Sequence, residues 1–344
     1  MTHPAVSLDF MPAFYHRHLG VTYGKAFYYD PEYRGSVECQ QALFLHAHWG
    51  RHGVGAAHPH PSPGLFIQPL EIIMRTQGAE WRFPEDATLE SWGTPWRGLD
   101  PAAIAAIDAQ AAARHPVVDE LLAQYRVLQK LYGESADLFG IKSGMMNIHA
   151  PLTTAQQLYG EELFMLLAED PAAGGPIFTK VWELYQAIFQ RLADALGARL
   201  TRVQLGDCAA AMLSPATYEA AVLPWNNRIA RQFPRAGYHS CGSSTHLLPA
   251  FAKLEHMDLY QLGPGTDLAQ AARQLPGTHL QPLIDPVLLR QGDTAQVRQS
   301  IAAVIRDCAP APAVTLCLWS LDRDTPLANV SAVYETTPAP TPAD

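Results

Sequence analysis

The residues best suited to chemistry stand together at Tyr238-His239-Ser240-Cys241-Gly242. They close a short apolar run that reads as a strand. In an extended segment, residues two apart point to the same side, so the His239 imidazole and the Cys241 thiol face one way. A neutral imidazole nitrogen beside a thiolate sulfur is a donor pair that suits zinc. Gly242 behind it lets the chain turn sharply. A second thiol, Cys317, ends the last strand-like run and would supply a third donor if the strands close into a barrel. A His–Cys–Cys set leaves one coordination position open, as catalytic zinc sites do. The rival reading is packing, because most cysteines are small buried hydrophobes. The spacing alone leaves both open. Should Cys317 not be the third donor, Cys208, Asp207 and Glu335 remain as candidates.

Other residues bear on the same chemistry. Asp207 closes another strand-like run, where it would orient a substrate, act as acid or base, or join a metal. Its alternative is a loop-capping carboxylate. Tyr238 and His149 are candidates to line the pocket, with barrel packing as the rival. Cys308 ends a helical pattern and is read as packing. His46, His48 and His52 read as a helix end and a loop rather than a metal cluster.

These residues need elements to position them. Apolar residues recur at helical spacing over 100–113, 117–131, 178–196, 215–233 and 294–308. Ser214 is the N-cap and Pro215 the first-turn residue of the fourth. Strand-like runs lie at 236–240, 259–262, 279–283 and 313–318. Each is followed by a polar or Gly/Pro-containing loop and then a helix, which is the rhythm of βα units and a parallel sheet. The expectation is a TIM-type (β/α)₈ barrel with an irregular N-terminal extension. Residues 1–99 would hold the extension and the first barrel elements, and 100–336 the main part of the same barrel. The tail 337–344 is expected to be disordered, since it cannot bury apolar area.

Composition narrows the function classes. The chain has 344 residues, 48% hydrophobic and 17% charged, with a net charge of −9, which describes a large globular core. The acidic balance and the lack of Lys/Arg runs argue against nucleic acid and against an anionic membrane surface. No apolar run is long enough to span a bilayer. The N-terminus shows no basic, then apolar, secretion pattern, so the cytoplasm is the expected compartment. Five cysteines, an odd number in a large chain, argue for free thiols over a disulfide framework.

An ordered set of motifs completes the reading. They are Gly206-Asp207, Met212-Leu213-Ser214-Pro215, Tyr218, Leu223-Pro224, His239-Ser240-Cys241-Gly242 and His246-Leu247-Leu248-Pro249. Gln261-Leu262-Gly263-Pro264-Gly265-Thr266-Asp267-Leu268, Asp285-Pro286-Val287-Leu288-Leu289 and a closing Thr325-Pro326-Leu327-Ala328-Asn329-Val330 follow. The set resembles the uroporphyrinogen-decarboxylase superfamily, on the side of its zinc-dependent methylcobalamin:thiol methyltransferases. The resemblance is dense from about residue 200 to 290 and looser toward the N-terminus. It implies a TIM barrel, with zinc held by His239, Cys241 and Cys317. It also implies a small-molecule thiol as methyl acceptor, and a corrinoid (cobalamin), free or on a partner protein, as donor.

Two departures stand out. Cys317 lies a little farther from Thr325-Pro326 than the corresponding cysteine does in the methyltransferases. Leu283-Ile284 stands where the family commonly has Gly-Asn. The alternative activity within the superfamily is a decarboxylase or other lyase acting on a small carboxylate. In that case Asp207 would donate the proton, and Arg34, Arg75 and Arg82 would be candidate anchors. The arginine-rich N-terminal motif of the family's decarboxylases is not found in this sequence.

Overall fold

The computed structural model describes residues 4–337. Among them are seven strands of four residues or more: β1 (Ala5–Phe10), β2 (Met145–His149), β3 (Arg202–Gly206), β4 (Arg235–Ser240), β5 (Met257–Leu262), β6 (His279–Pro282) and β7 (Ala313–Leu321). Helices separate β2 through β7, and the registered pairs are parallel. The fold is therefore α/β, of the TIM-barrel type that the alternation predicts. Two compact units share it. One comprises Met1–Ser62, Phe83–Thr88 and Gln261–Asp344, and the other Pro63–Arg82 and Leu89–Tyr260. Strand β5 runs through the division.

In the first unit β7 pairs with β1 on one side and β6 on the other. Leu316, Leu318 and Leu321 of β7 join Phe10, Phe14, Trp49, Val330 and Val333 in one buried cluster. Cys317 alternates with Leu316 and Leu318 and so points to the opposite face, yet it too is buried. Parallel strands in such folds are covered on both faces. The region before residue 100 is more regular than its composition suggests. It supplies β1 and a 19-residue helix, Pro31–Trp49, N-capped by Asp30, whose carboxylate accepts from the amides of Glu32 and Tyr33 at 3.0 and 3.1 Å. Gln40, Gln41, His46 and His48 are spread along this helix, which blurs the apolar stripe a sequence reading looks for.

In the second unit the order is β2–β3–β4, in a register that aligns His149 with Gly206 and Gly206 with His239. The helix Gly174–Leu196 buries Ile177, Val181, Leu184, Ile188 and Leu192 and ends on left-handed Gly197. The single helix expected over 100–113 is two short ones, Pro101–Ala105 and Ala109–Ala113. Asp108 causes the break: its carboxylate accepts from the Gln110 amide at 2.8 Å and so caps a new N-terminus.

At the C-terminus, Thr337 is not the start of a loose tail. It is 9% exposed, and its hydroxyl donates to the Val333 carbonyl at 2.9 Å. Residues 338–344 of the expected disordered tail lie outside the described residues. No described helix is long and apolar enough to cross a membrane.

Asn329, in the closing motif, fastens two elements of the first unit. Its buried amide donates to the carbonyls of Leu289 at 2.9 Å and Gly292 at 2.8 Å. Asn329→Ala strands two carbonyls, so chemical denaturation should report a loss of about 1–3 kcal/mol. Unchanged stability would show that this clasp contributes nothing.

Candidate metal centre

Two adjacent strands of the second unit deliver the donors. β3 ends at Gly206 and the chain continues through Asp207 to Cys208. β4 ends at Ser240, with His239 on the strand and Cys241 just beyond it. Because Gly206 is registered against His239, the two strand ends finish side by side. One donor atom from each of Cys208, His239 and Cys241 lies within 4.8 Å of the others. Cys241 is exposed, and Cys208 and His239 are half-buried, so the group has a face open to a ligand. It sits at the C-terminal ends of its strands, where barrels of this type build their sites.

Gly242 serves this approach in an unexpected way. It is not among the positive-φ glycines, so the chain does not need it for a left-handed turn. A Cβ on it would instead lie 2.6 Å from the Ala211 side chain. Its bareness lets the Cys241 loop close onto the 208–212 turn.

The two thiols are not alike. A hydrogen bond from the Cys208 thiol, then the neighbouring His239 imidazole, pull the Cys241 thiol well below its usual range against the opposing effect of burial. Cys208 is pushed up, chiefly because it gives that hydrogen bond and also because it is buried. Cys241 is thus the thiolate of the pair, and thiolate is the form that binds a metal. His149, at the end of β2, is pushed down to about 4 by burial and by the neighbouring His239. It stays neutral beside the cluster near neutral pH.

Asp207 is completely buried. Its carboxylate accepts from the Thr153 hydroxyl at 3.1 Å, the Asn226 amide at 3.0 Å and the Tyr238 phenol at 3.1 Å. Burial pushes its pKa up to about 6, against the pull of those three donors. Tyr218 extends the network, donating to the Tyr238 phenol oxygen at 3.0 Å. Burial holds both tyrosines far above the ordinary range. Tyr238 is therefore packed and hydrogen-bonded within this network, with none of its surface exposed, rather than open as a pocket wall.

Tyr218 comes from a π-helical turn, Tyr218–Val222, directly before Leu223-Pro224. Proline has no N–H to give the preceding turn, and the widened turn results where the helix passes it.

Cys317 is not in the donor group. The three gathered donors are Cys208, His239 and Cys241, and Cys317 lies on β7 of the other unit. Its sulfur contacts the Thr315 carbonyl at 3.7 Å and Gln281 Oε1 at 3.9 Å, and burial pushes its pKa up to about 12. Glu335 pairs with Arg298 at 2.6 Å and Arg51 at 3.6 Å. Cys308 is buried, as its packing role requires. Of the candidate anchors, Arg75 donates to the Ala79 carbonyl at 3.0 Å and Arg82 stacks over the Trp92 ring. Both have structural work already. The sequence does not single out Thr153 and Asn226 for the site, and Tyr218 stands in it only as one residue of the motif set, because each matters through the buried carboxylate or phenol it meets.

The pattern described as Uroporphyrinogen decarboxylase (URO-D) matches residues 73–338. The chain belongs to the uroporphyrinogen decarboxylase family. It is similar to the uroporphyrinogen decarboxylase of Synechococcus sp. (strain JA-2-3B'a(2-13)), 29% identical over 44% of this chain and 47% of that protein. It is likewise similar to the one of Gloeobacter violaceus (strain ATCC 29082 / PCC 7421), 28% identical over 45% of this chain and 48% of that protein. Each match spans about half the length of these curated relatives. Among solved structures, the chain is similar to a methyltransferase from Methanosarcina mazei. That likeness has a TM-score of 0.65 at 16% identity and covers 98% of this chain and 93% of that one. At this identity it speaks for the shared fold.

Elemental analysis tests whether this group binds a metal and through which cysteines. Protein prepared with zinc should carry about one zinc per chain. Cys208→Ser and Cys241→Ser should lose it, and Cys317→Ser should keep it. Loss in Cys317→Ser with retention in Cys208→Ser would overturn the assignment.

Proposed function

We propose that this member of the family is a zinc-dependent methyltransferase that moves a methyl group from a corrinoid to a substrate thiol. The observation that supports this reading is the Cys208–His239–Cys241 group itself: two sulfurs and one imidazole, tightly gathered at two strand ends, with an exposed side. Soft sulfur with imidazole suits zinc rather than the oxygen-seeking magnesium or calcium, and three protein donors leave one position for a substrate. Zinc there would lower the pKa of a substrate thiol and so keep it nucleophilic at neutral pH.

The chain's own residues do the rest. The donor set has two cysteines, which bind metal as thiolates, and one imidazole, so its charge would nearly cancel that of a divalent ion and leave a bound sulfur nucleophilic. Neutral His149 adds no positive charge beside it. A methyl-corrinoid would supply the methyl group to the acceptor sulfur, keeping the electron pair of the cobalt–carbon bond it gives up, and the thiol proton would leave to solvent. The corrinoid would be free or carried by a partner protein.

A second reading, a lyase that decarboxylates a small carboxylate, is favoured by the names of the curated relatives. It makes the cysteines dispensable. The discriminating assay mixes zinc-loaded protein, methylcobalamin and a panel of small thiols. It follows the cobalamin spectrum and the methylated thiol by mass. Wild type should transfer methyl, and Cys208→Ser and Cys241→Ser should fall by more than the roughly 10–100-fold typical when only a ligand's supporting hydrogen-bond partner is changed. Failure of wild type with every thiol, alongside carbon dioxide release from a carboxylate substrate, would favour the lyase.

A further inference from the structure

We infer that Asp207 is a positioning residue that holds Cys208 and His239 in the geometry of the metal group, rather than an acid or base that meets substrate. The inference rests on the metal reading above, and it concerns what makes that site rigid.

The geometry is reciprocal. The Asp207 amide donates to the His239 carbonyl at 2.7 Å, which ties the residue before Cys208 to the backbone of the imidazole donor. Its carboxylate accepts from the phenol of Tyr238, the residue before His239. On its other side it accepts from the Thr153 hydroxyl, which in turn accepts from the Ala209 amide at 3.0 Å. Cys208 therefore sits between two anchored neighbours, Asp207 and Ala209. His239 is anchored through its own carbonyl and through Tyr238. One carboxylate ties both strand ends together.

Burial decides between the two roles. None of the Asp207 surface is exposed, and both carboxylate oxygens already accept hydrogen bonds, Oδ2 from two donors. A substrate at the open side of the cluster does not touch it. A group that fixes metal ligands without touching the metal typically alters metal affinity 10–100-fold when changed, because it sets how much reorganisation the donors need.

The test compares zinc affinity, by competition with a chromophoric chelator, and the absorption of the cobalt(II)-substituted protein. Asp207→Asn keeps the shape but presents an N–H to groups that donate. It should weaken zinc binding about 10–100-fold and shift or weaken the cobalt–thiolate bands. Thr153→Val and Tyr238→Phe each delete one arm of the clamp and should move both readouts the same way by less. They keep the inference testable if Asp207→Asn does not fold.

Leu163→Ala, a fully buried site in the same unit, controls for general destabilisation and should leave both readouts at wild-type values. Wild-type affinity and spectrum in Asp207→Asn, or in both single-arm variants, would overturn the inference while leaving the metal reading intact. So would an equal loss in Leu163→Ala. A wild-type protein that binds neither zinc nor cobalt would overturn both.

Discussion

Everything proposed for this protein depends on two parallel strands ending level with one another. The register that sets Gly206 of β3 beside His239 of β4 places the first residues after one strand against the last residues of the next. A shift of one residue would turn His239 to the opposite face of the sheet. It would also separate the Asp207 amide from the carbonyl it now meets at 2.7 Å. The buried carboxylate reinforces this register. A side chain with no exposed surface and three hydrogen-bond donors is costly to misplace, because each broken bond leaves a charged or polar group unsatisfied in the interior.

Electrostatics then divides the work among similar groups. Of two neighbouring cysteines, one holds the proton and the other the charge, and the imidazole favours the charged one. Of two neighbouring histidines, the buried His149 is held neutral. The result is a compact arrangement of one thiolate, one thiol and an imidazole, open on one side. A metal ion bound there would complete the charge balance, since it binds the deprotonated form of each thiol.

Much of this was legible in the sequence, and the gaps have physical causes. The strands at 236–240 and 313–318 and the helices at 178–196 and 294–308 were clear because their apolar residues follow one period. The His239–Cys241 pair was legible because alternation along a strand is a local property. The nearness of Cys208 to that pair was not, because which strand end lies beside β4 is a matter of sheet order and register, which no local pattern records. Cys317 is suited by its place at the end of the last strand-like run, while Cys208, two residues after the Gly206 that is registered against His239, carries no signal beyond following Asp207. The second role of Gly242 is hidden for the same reason: besides lying at a bend, it gives room to the Ala211 side chain. Asp207 was visible as a chemical residue, but its burial and its partners Thr153 and Asn226 appear only in three dimensions.

The most direct test of the central claim is X-ray absorption at the zinc edge of the zinc-loaded protein, with and without a small thiol. The account predicts two sulfur neighbours at about 2.3 Å and one imidazole nitrogen at about 2.0–2.1 Å, with a third sulfur appearing when the thiol is added. A shell of oxygen and nitrogen alone, or two sulfurs that persist unchanged in Cys208→Ser, would contradict it.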